Sequence, residues 1–449
     1  MSDLDLNKWL SRAQELGADD VELYYQYSES NSIKVYQQEV DSLESATAKG
    51  LGVRVFVDHK MGFAYTSDFR DEALEEVIKE AVANAEVATA DENRTLPQES
   101  YDYPELNIYN PDFESRTIEE KIDIAYQMEE EALDYDDKIK SVVNVNYGDS
   151  IYNVTIVNSN GLEESYQSNS CYAYLSVIAA EDEENQTGFA VTYGRDLGEL
   201  TPEETAQEAA QNAIKLLGGS AVESQSAPVV FTPEIGSMFM YVLSQSLTAE
   251  AVQKGRSLFA GKLNEQVAAE NVNIIDDGTL EEGLATAPFD SEGVACQETE
   301  VIKDGKLKGY LYDTYTANKD ETKSTGNASR GGYRGIPGVA STNFYLDAGD
   351  KDKEDIIADI ENGFYVQKVS GLVTGGANPI SGEFSVGASG QWIEDGEIKG
   401  AVREITIAGN LIDFLKNIVE LGNDLEFNPA IGSFASPTFK VDELAISGK

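Results

Sequence analysis

The first half of this 449-residue chain repeats one order of elements, and this repeat restricts the possible folds more than any other feature. Gly62-Phe63-Ala64 precedes one amphipathic segment, and Gly188-Phe189-Ala190 precedes another 126 residues later. In both copies a helical pattern leads into alternating apolar and polar residues and then into a second helical pattern. We interpret this order as an internal duplication of a helix-meander-helix unit. The alternative is that an α+β protein repeats the order by chance.

The first copy contains two predicted helices that flank a set of strands. Residues 4–17 have apolar side chains at helical spacing, with Gly17 as a stop signal. Residues 21–66 alternate as antiparallel strands, with a hairpin turn at 58–61, and residues 71–87 form the second helix. In the second copy the predictions are a helix over 118–133, strands over 139–192 and a helix over 202–217. Residues 91–113, with three prolines, are predicted to be a long surface connection.

A change of composition indicates a domain boundary near residue 220. Small polar residues there are followed by a new predicted strand at 228–231. We predict an N-terminal domain over residues 1–220, with repeats at about 1–90 and 115–220, and a C-terminal domain over 228–449. The C-terminal half is rich in glycine, with hairpin turns at Asp304-Gly305 and Asp395-Gly396. Its predicted helices span residues 233–253, 353–361 and 409–421. The fold class is α+β: an N-terminal α/β domain with duplicated helix-meander-helix units and a C-terminal, mostly antiparallel β domain with a few helices.

The strong negative charge of the chain argues against a nucleic-acid partner. Asp and Glu number 81 against 33 Lys and Arg, which gives a formal charge of −48. Phosphate binding depends on basic side chains, so we expect no direct contact with nucleic acid. The first residues lack the regions of a secretion signal, and no stretch approaches the roughly 18 apolar residues of a membrane span. We therefore expect a cytoplasmic protein without membrane association.

Histidine and cysteine are scarce, and this scarcity limits the available chemistry. The chain has one histidine, His59, and two cysteines, Cys171 and Cys296. A protein zinc site for hydrolysis usually takes at least two imidazoles, and a Ser or Cys nucleophile needs one beside it. Most histidine-based catalysis by the chain alone is therefore excluded, as is a disulfide framework. We predict that His59 is a turn residue and that both cysteines are small buried groups.

Two sets of polar residues are candidates for function. Asp276, Asp277, Asp290 and Asp313 could act as acid, base or metal groups if they converged in one cleft, although Asp-Gly after Asp276 favours a turn. Four arginines stand out in so acidic a chain, because a guanidinium can hold a peptide carboxylate through two hydrogen bonds. The competing interpretation is an ordinary ion pair with one of the many acids. These arginines are Arg256, Arg330, Arg334 and Arg403.

An ordered set of short stretches runs through the second half of the chain. The stretches are 254–262 (KGRSLFAGK), 276–280 (DDGTL), 288–290 (PFD), 309–317 (GYLYDTYTA), 324–328 (STGNA), 387–390 (GASG), 404–411 (EITIAGNL) and 422–424 (GND). This set, in this order, is similar to the TldD/PmbA family, and within it to the PmbA branch, also called TldE and described as a modulator of DNA gyrase. The resemblance covers residues 228–428.

The resemblance implies a zinc peptidase complex in which this chain carries no metal. The TldD branch has His-Glu-x-x-x-His on a helix and a cysteine ligand near the C-terminus. At the corresponding positions this chain has Ser244, Gln245 and Ala249, and Ser433 stands in the region of the third ligand. We therefore expect no catalytic residue, no metal and no cofactor in this chain, with zinc only in a TldD-type partner.

The function implied is that of a non-catalytic TldE/PmbA-like subunit in a cytoplasmic heterodimer that cleaves unfolded peptides. An alternative is a homodimeric peptide-binding or chaperone-like module without peptidase activity. A third possibility is a hydrolase that uses the four aspartates named above. Candidate contacts with substrate or partner are Arg256, Tyr310, Asp313, Tyr315, Asn327, Arg330, Arg334 and Arg403.

Overall fold

The first half of the chain builds one six-stranded antiparallel sheet with helices on one face. The computed structural model describes residues 4–97 and 101–449. The elements of this half are α1 (Leu6–Glu15), β1 (Asp20–Tyr36), β2 (Glu39–Val57), β3 (Lys60–Thr66), α2 (Asp71–Val87), α3 (Ile118–Asp134), β4 (Ile139–Asn158), β5 (Glu163–Glu181), β6 (Glu184–Gly194) and α4 (Pro202–Ile214). The strand order is β3-β2-β1-β4-β5-β6, so the two copies meet where β1 pairs with β4.

The duplication extends to the contact between sheet and helix. In each copy a glycine of the third strand lies directly against the closing helix. A Cβ at Gly62 would be 2.0 Å from the Ala81 carbonyl oxygen of α2, and a Cβ at Gly188 would be 2.0 Å from the Ala209 carbonyl oxygen of α4. The repeated Gly-Phe-Ala tripeptide therefore marks the same close packing twice, which supports the interpretation as a duplication.

The predicted helices and turns of this half are confirmed, with small shifts at their ends. Asp58 and His59 have φ angles of 50° and 60°, which are those of a tight hairpin turn. A second turn, at Gln37 and Gln38, was not predicted. The buried carboxylate of Glu129 on α3 accepts hydrogen bonds from both of their backbone N–H groups, at 2.8 and 2.6 Å. A tertiary contact thus stabilises a turn that lacks the usual glycine or asparagine.

The prediction that residues 91–113 run over the surface is wrong in part. Residues 98–100 of this connection lie outside the described residues. On either side of them the chain is anchored to the second half, because the Tyr103 hydroxyl donates to the Gly293 carbonyl at 2.7 Å and the Asp91 carboxylate accepts from Tyr315 at 2.9 Å. Leu96 and Ile108 are buried. The connection therefore helps to join the two halves.

The second half contains two further six-stranded sheets around one large apolar core. Its elements are β7 (Gln225–Phe231), α5 (Pro233–Ser246), α6 (Ala249–Gln253), β8 (Ile274–Asp277), β9 (Glu298–Lys303), β10 (Lys306–Leu307), α7 (Thr314–Lys319), β11 (Ala328–Ser329), β12 (Gly338–Val339), β13 (Phe344–Leu346), α8 (Lys353–Ala358), β14 (Asn362–Ser370), β15 (Glu383–Glu394), β16 (Glu397–Asn410), α9 (Leu411–Lys416), β17 (Ile418–Leu421), β18 (Glu426–Phe427), β19 (Phe434–Ser436) and β20 (Phe439–Ser447).

One of these sheets closes on itself. Its order is β16-β15-β14-β7-β20-β17, and β16 also pairs with β20. The other has the order β10-β9-β8-β13-β19-β18. Pairing is antiparallel except between β7 and β14 and between β13 and β19. Both predicted Asp-Gly hairpins are present, since Asp304 and Asp395 have positive φ angles.

Two predicted helices of this half are wrong in length. The helix predicted over 233–253 breaks between α5 and α6, because Thr248 caps a new helix and the backbone beside it pairs with Leu311. The helix predicted over 409–421 ends at Lys416. Residues from Ile418 onward instead form β17, which pairs with β20. In both places backbone pairing with a distant segment overrides the apolar spacing.

Most buried apolar residues belong to three large cores. Cys171 and Cys296 are both buried thiols, as predicted. Within residues 4–97 and 101–449, no helix combines the length and apolar character that crossing a membrane would need.

Candidate functional site

A cleft of about 680 Å³ lies between the first sheet and loops of the second half. Successive residues of a strand point to opposite faces of a sheet. Leu23 of β1 therefore packs into the core with α1 and α2, whereas Tyr24 packs with Phe289 and Tyr333 of the second half. The loops cover only part of this second face, and the cleft opens beside Tyr24. Its sheet wall carries Tyr24, Gln26, Ala48, Tyr152, Val154, Tyr166 and Ser168.

The opposite wall of the cleft is formed by residues 284–287, Ser291 and the loop 330–334. This loop is fixed against the sheet by Tyr333. A Cβ at Gly50 would be 2.1 Å from the Tyr333 ring, and one at Gly52 would be 2.6 Å from the Tyr333 carbonyl oxygen. The Tyr333 backbone N–H also donates to the Gln26 side chain at 3.0 Å. The two β2 glycines thus allow the loop to approach closely, and they fix the position of the wall.

A buried ion-pair network joins the two halves beneath the cleft. Arg54 of β2 donates to Glu22 of β1 at 2.5 Å and to Glu292 of the second half at 2.9 Å. Arg330 donates to the other Glu22 oxygen at 2.7 Å. All four side chains are at most 6% exposed. The nearby Arg330 and Arg54 charges hold the pKa of Glu22 below its usual value in spite of burial. The network therefore consists of two paired charges of each sign.

Of the eight predicted contact residues, the structure places two in the cleft, Arg330 and Arg334. Asn327 lines a smaller adjoining cavity of about 150 Å³. The ion-pair interpretation is confirmed for Arg330 and also for Arg403, which lies 3.1 Å from Glu184.

The remaining predicted contact residues lie elsewhere. The Tyr310 hydroxyl donates to the Phe259 carbonyl, and Asp313 caps α7. The cations of Arg94 and Lys319 both lie over the Tyr315 ring, and the Tyr315 hydroxyl donates to Asp91. Arg256 is exposed after α6.

The tyrosines of the sheet wall were not identified from the sequence. Tyr24, Tyr152 and Tyr166 lie on one face because Tyr24 pairs opposite Ile156, and Val154 of the same strand pairs opposite Tyr166. The alternation within each strand was visible, but the register between strands 130 residues apart was not. One feature of the sequence could have identified this face. Tyr24 and Gln26 stand at even-numbered positions of the strand, whereas the odd-numbered positions beside them are apolar.

The four candidate aspartates do not share a cleft. Asp290 lines the smaller cavity, and its oxygens accept the backbone N–H groups of Glu292, Val294 and Ala328. The Asp313 side chain caps the start of α7 by accepting a hydrogen bond from a backbone N–H group of that helix. The turn prediction holds for Asp277, which ends β8 and accepts from Thr279, but Asp276 lies inside the strand and is buried. This arrangement lacks the convergence that a carboxylate hydrolase would need.

Asp276 gives a testable dependence of stability on pH. Burial raises its pKa to about 6 from the ordinary value of 3.8, while hydrogen bonds from Asn327 and Thr342 oppose that rise. The folded protein therefore binds this proton more tightly than the unfolded chain, so the contribution of Asp276 to stability falls by about 3 kcal/mol in total as the pH rises from about 3 to about 7. Urea unfolding across this range should show that the stability of Asp276→Asn, relative to that of the unaltered protein, rises with pH, because the variant lacks this titrating group. Asp304→Asn, in an exposed turn, is the control, and identical pH slopes for D276N and the unaltered protein would contradict this assignment.

The side chains at the expected ligand positions do not fit zinc. The Ser244 hydroxyl donates to the Tyr241 carbonyl at 2.8 Å, and the Ser433 hydroxyl donates to the Asn343 side chain at 2.6 Å. Gln245 is exposed and Ala249 has no donor atom. Ser244 lies in α5, which ends at Ser246, whereas Ala249 begins α6, so the segment is not one helix. In the described ranges, no group of three or more His, Cys, Asp or Glu side chains could hold a metal ion.

Comparisons with known proteins agree along most of the chain. Family models of the PmbA/TldA metallopeptidase match in three parts: domain 1 at residues 21–85, the central domain at 111–217 and the C-terminal domain at 224–448. The metalloprotease PmbA of Escherichia coli O157:H7 is 29% identical, over 97% of this chain and 96% of its own length. An uncharacterized protein of Methanocaldococcus jannaschii is 30% identical, over 94% of this chain and 96% of its own.

Solved structures show the same fold. A Thermotoga maritima protein described as a modulator of a DNA gyrase superposes with a TM-score of 0.91 at 30% identity, over 98% of this chain and 99% of that one. TldE from Thermococcus kodakarensis superposes with a TM-score of 0.90 at 24% identity, over 99% of this chain and 100% of that one.

Proposed function

Because the chain belongs to the PmbA/TldD metallopeptidase family, we propose that it acts as a TldE-type, non-catalytic subunit of a cytoplasmic zinc peptidase complex. The observation that carries this proposal is the chemistry at the expected ligand positions. Ser244 and Ser433 use their hydroxyls in internal hydrogen bonds, and Ala249 offers no donor atom. Zinc peptidases activate water by binding it to the metal. A partner with its own zinc ligands would supply that step, and this chain would supply part of the substrate site.

The proposed contribution of this chain is one wall of the peptide-binding cavity. The cleft beside Tyr24 offers aromatic surface from four tyrosines and polar groups from Gln26 and Ser168. Aromatic rings and a few placed polar groups are typical of ligand sites, and they suit a substrate that is recognised by its extended backbone. The expected substrate is therefore an unfolded peptide.

A cleavage assay tests this proposal. The purified chain, a TldD-type protein with His-Glu-x-x-x-His, and their mixture are each incubated with an unfolded peptide and zinc. We expect no cleavage by this chain alone and zinc-dependent cleavage by the mixture that exceeds the activity of the partner alone. Robust zinc-dependent cleavage by this chain by itself would refute the proposal.

A second candidate function, a homodimeric peptide-binding module, is favoured by the free edge of β2. Strand β3 pairs only with residues 51–57 of β2, so residues 39–50 have β1 as their single strand neighbour within the described chain. Residues 39–49 are exposed, including Val40 and Leu43. Such an edge can accept another strand. Stable self-association with peptide binding, and no association with any TldD-type protein, would favour this candidate over the first.

A further inference from the structure

We infer that the cleft recognises the carboxylate of an extended peptide, either a free C-terminus or an acidic side chain, through Arg330 and Arg334. This inference rests on the proposed function, because it names the class of peptide that the same cleft would hold. It is carried by the charges that line the cleft, by unpaired groups of a buried arginine and by the rigid loop that bears both guanidinium groups.

The charge of the cleft is opposite to that of the protein. The chain has 81 acidic residues against 33 basic ones. Among the described residues that line the cleft, none is Asp or Glu, and the charged ones are Arg330 and Arg334. A cleft with fixed positive charge concentrates anionic ligands and rejects cationic ones. The net charge of the protein, being strongly negative, would repel the same ligands elsewhere and so favour the cleft.

Arg330 has hydrogen-bonding capacity that the protein itself does not use. Its side chain is fully buried, and its Cζ lies 4.3 Å from the centre of the Tyr24 ring. Nη2 donates to Glu22 and to the Ser291 carbonyl. Nε and Nη1 have no hydrogen-bond partner within the described protein. Leaving buried donors of a charged group unpaired is costly, and a bound carboxylate would provide the missing acceptor.

Arg334 supplies a second positive charge to the cleft. Arg330 belongs to the buried network with Arg54, Glu22 and Glu292, in which two positive charges balance two negative ones. Arg334 is exposed, and in residues 4–97 and 101–449 no carboxylate lies within ion-pair distance of it. Its Nε donates to the Tyr333 hydroxyl at 3.0 Å, which leaves its other N–H groups for a ligand. A guanidinium of this kind can hold a carboxylate through two hydrogen bonds.

The loop that carries both arginines is held in place before a ligand binds. Tyr333 lies against Gly50 and Gly52 of β2, and its backbone N–H donates to Gln26. Tyr333 therefore acts as a positioning residue for Arg334. Because a preformed site loses little conformational entropy on binding, even one charge-assisted contact can produce a measurable preference.

Peptide binding by the full-length protein tests the inference. The probe is an unfolded decapeptide without Asp or Glu, labelled with a neutral dye, prepared with a free C-terminal carboxylate and with a C-terminal amide. Two further amidated peptides carry one internal Glu or one Gln. We expect the free-acid peptide, the Glu peptide or both to bind about tenfold more tightly than their neutral counterparts. The pair of peptides that shows the preference identifies whether the recognised carboxylate is a C-terminus or an acidic side chain.

Two variants connect the preference to the cleft. Arg334→Gln changes an exposed side chain, so the protein should remain folded, and it is expected to remove the tenfold preference. Arg256→Gln, an exposed arginine outside the cleft, is the matched control and should retain it. Equal affinity for acidic and neutral peptides in the unaltered protein, no binding of any peptide, or an unchanged preference in R334Q would each overturn the inference.

The same samples separate this inference from the proposed function. Each variant is also mixed with the TldD-type partner and assayed for zinc-dependent cleavage of the amidated Gln peptide. Stimulation of the partner without a carboxylate preference would refute the inference alone. Lack of stimulation by the unaltered chain would refute the proposed function, whatever the binding data show.

Discussion

Replacement of Arg54 by methionine is expected to lower the free energy of unfolding by about 3–5 kcal/mol. Arg54 is the cation shared by Glu22 and Glu292, and it links the first sheet to the second half. Methionine fills similar space but leaves Glu292 without its ion-pair partner in a buried setting. Removing one member of a buried pair costs more than the pair contributes, because the remaining charge is neither solvated nor compensated. Urea unfolding measures the loss.

A second substitution shows whether the unpaired charge is the cause. The double variant Arg54→Met, Glu292→Gln should recover part of the lost stability, since glutamine can still accept from the Thr314 N–H. Arg12→Met is the matched control, because Arg12 makes two ion pairs in a more exposed setting, and its effect should be much smaller. A stability loss for R54M no larger than that for R12M would contradict this account of the interface.

Replacement of Gly62 or Gly188 by alanine is expected to destabilise the protein by about 3 kcal/mol in each case. The added methyl group would be 2.0 Å from a helix carbonyl oxygen and 2.5 Å from a helix backbone nitrogen, at Ala81 and Ala85 in one copy and at Ala209 and Ala213 in the other. Backbone atoms cannot move aside as a flexible side chain can, so the helix must separate from the sheet. Thermal and urea unfolding should show similar losses for both variants.

Gly400→Ala is the control for these glycine substitutions. Gly400 lies in β16, and no atom lies within 4 Å of the Cβ that alanine would add. It is expected to change stability little. A large loss for one of G62A and G188A and none for the other would contradict the equivalence of the two copies.

The first half could be predicted well because its information is local. Amphipathic spacing gave α2 over the observed residues, and Gly17 marked the end of α1. The helices predicted over 233–253 and 409–421 failed where Thr248 pairs with Leu311 and where Ile418 pairs with β20. Apolar residues three or four apart fit a helix, but their backbone groups can instead form hydrogen bonds with another segment of the chain.

The candidate site was harder to predict from the sequence than the fold was. The ion pair that was expected for Arg330 is confirmed, yet its partner Glu22 lies 308 residues away and could not be named from the sequence. Tyr24, Tyr152 and Tyr166 converge only through the register of three strands. Tyr310 and Tyr315 looked equally suitable, but internal hydrogen bonds to Phe259 and Asp91 use their hydroxyls. Packing between the halves decides which of these side chains reach a cleft.

Zinc content together with mass in solution tests the central claim most directly. The purified chain is measured alone and after mixing with a TldD-type protein, following exhaustive dialysis. We predict no retained zinc in the isolated chain, and a heteromeric complex in the mixture with zinc in proportion to the TldD-type subunit. Stoichiometric, tightly bound zinc in the isolated chain would contradict the account.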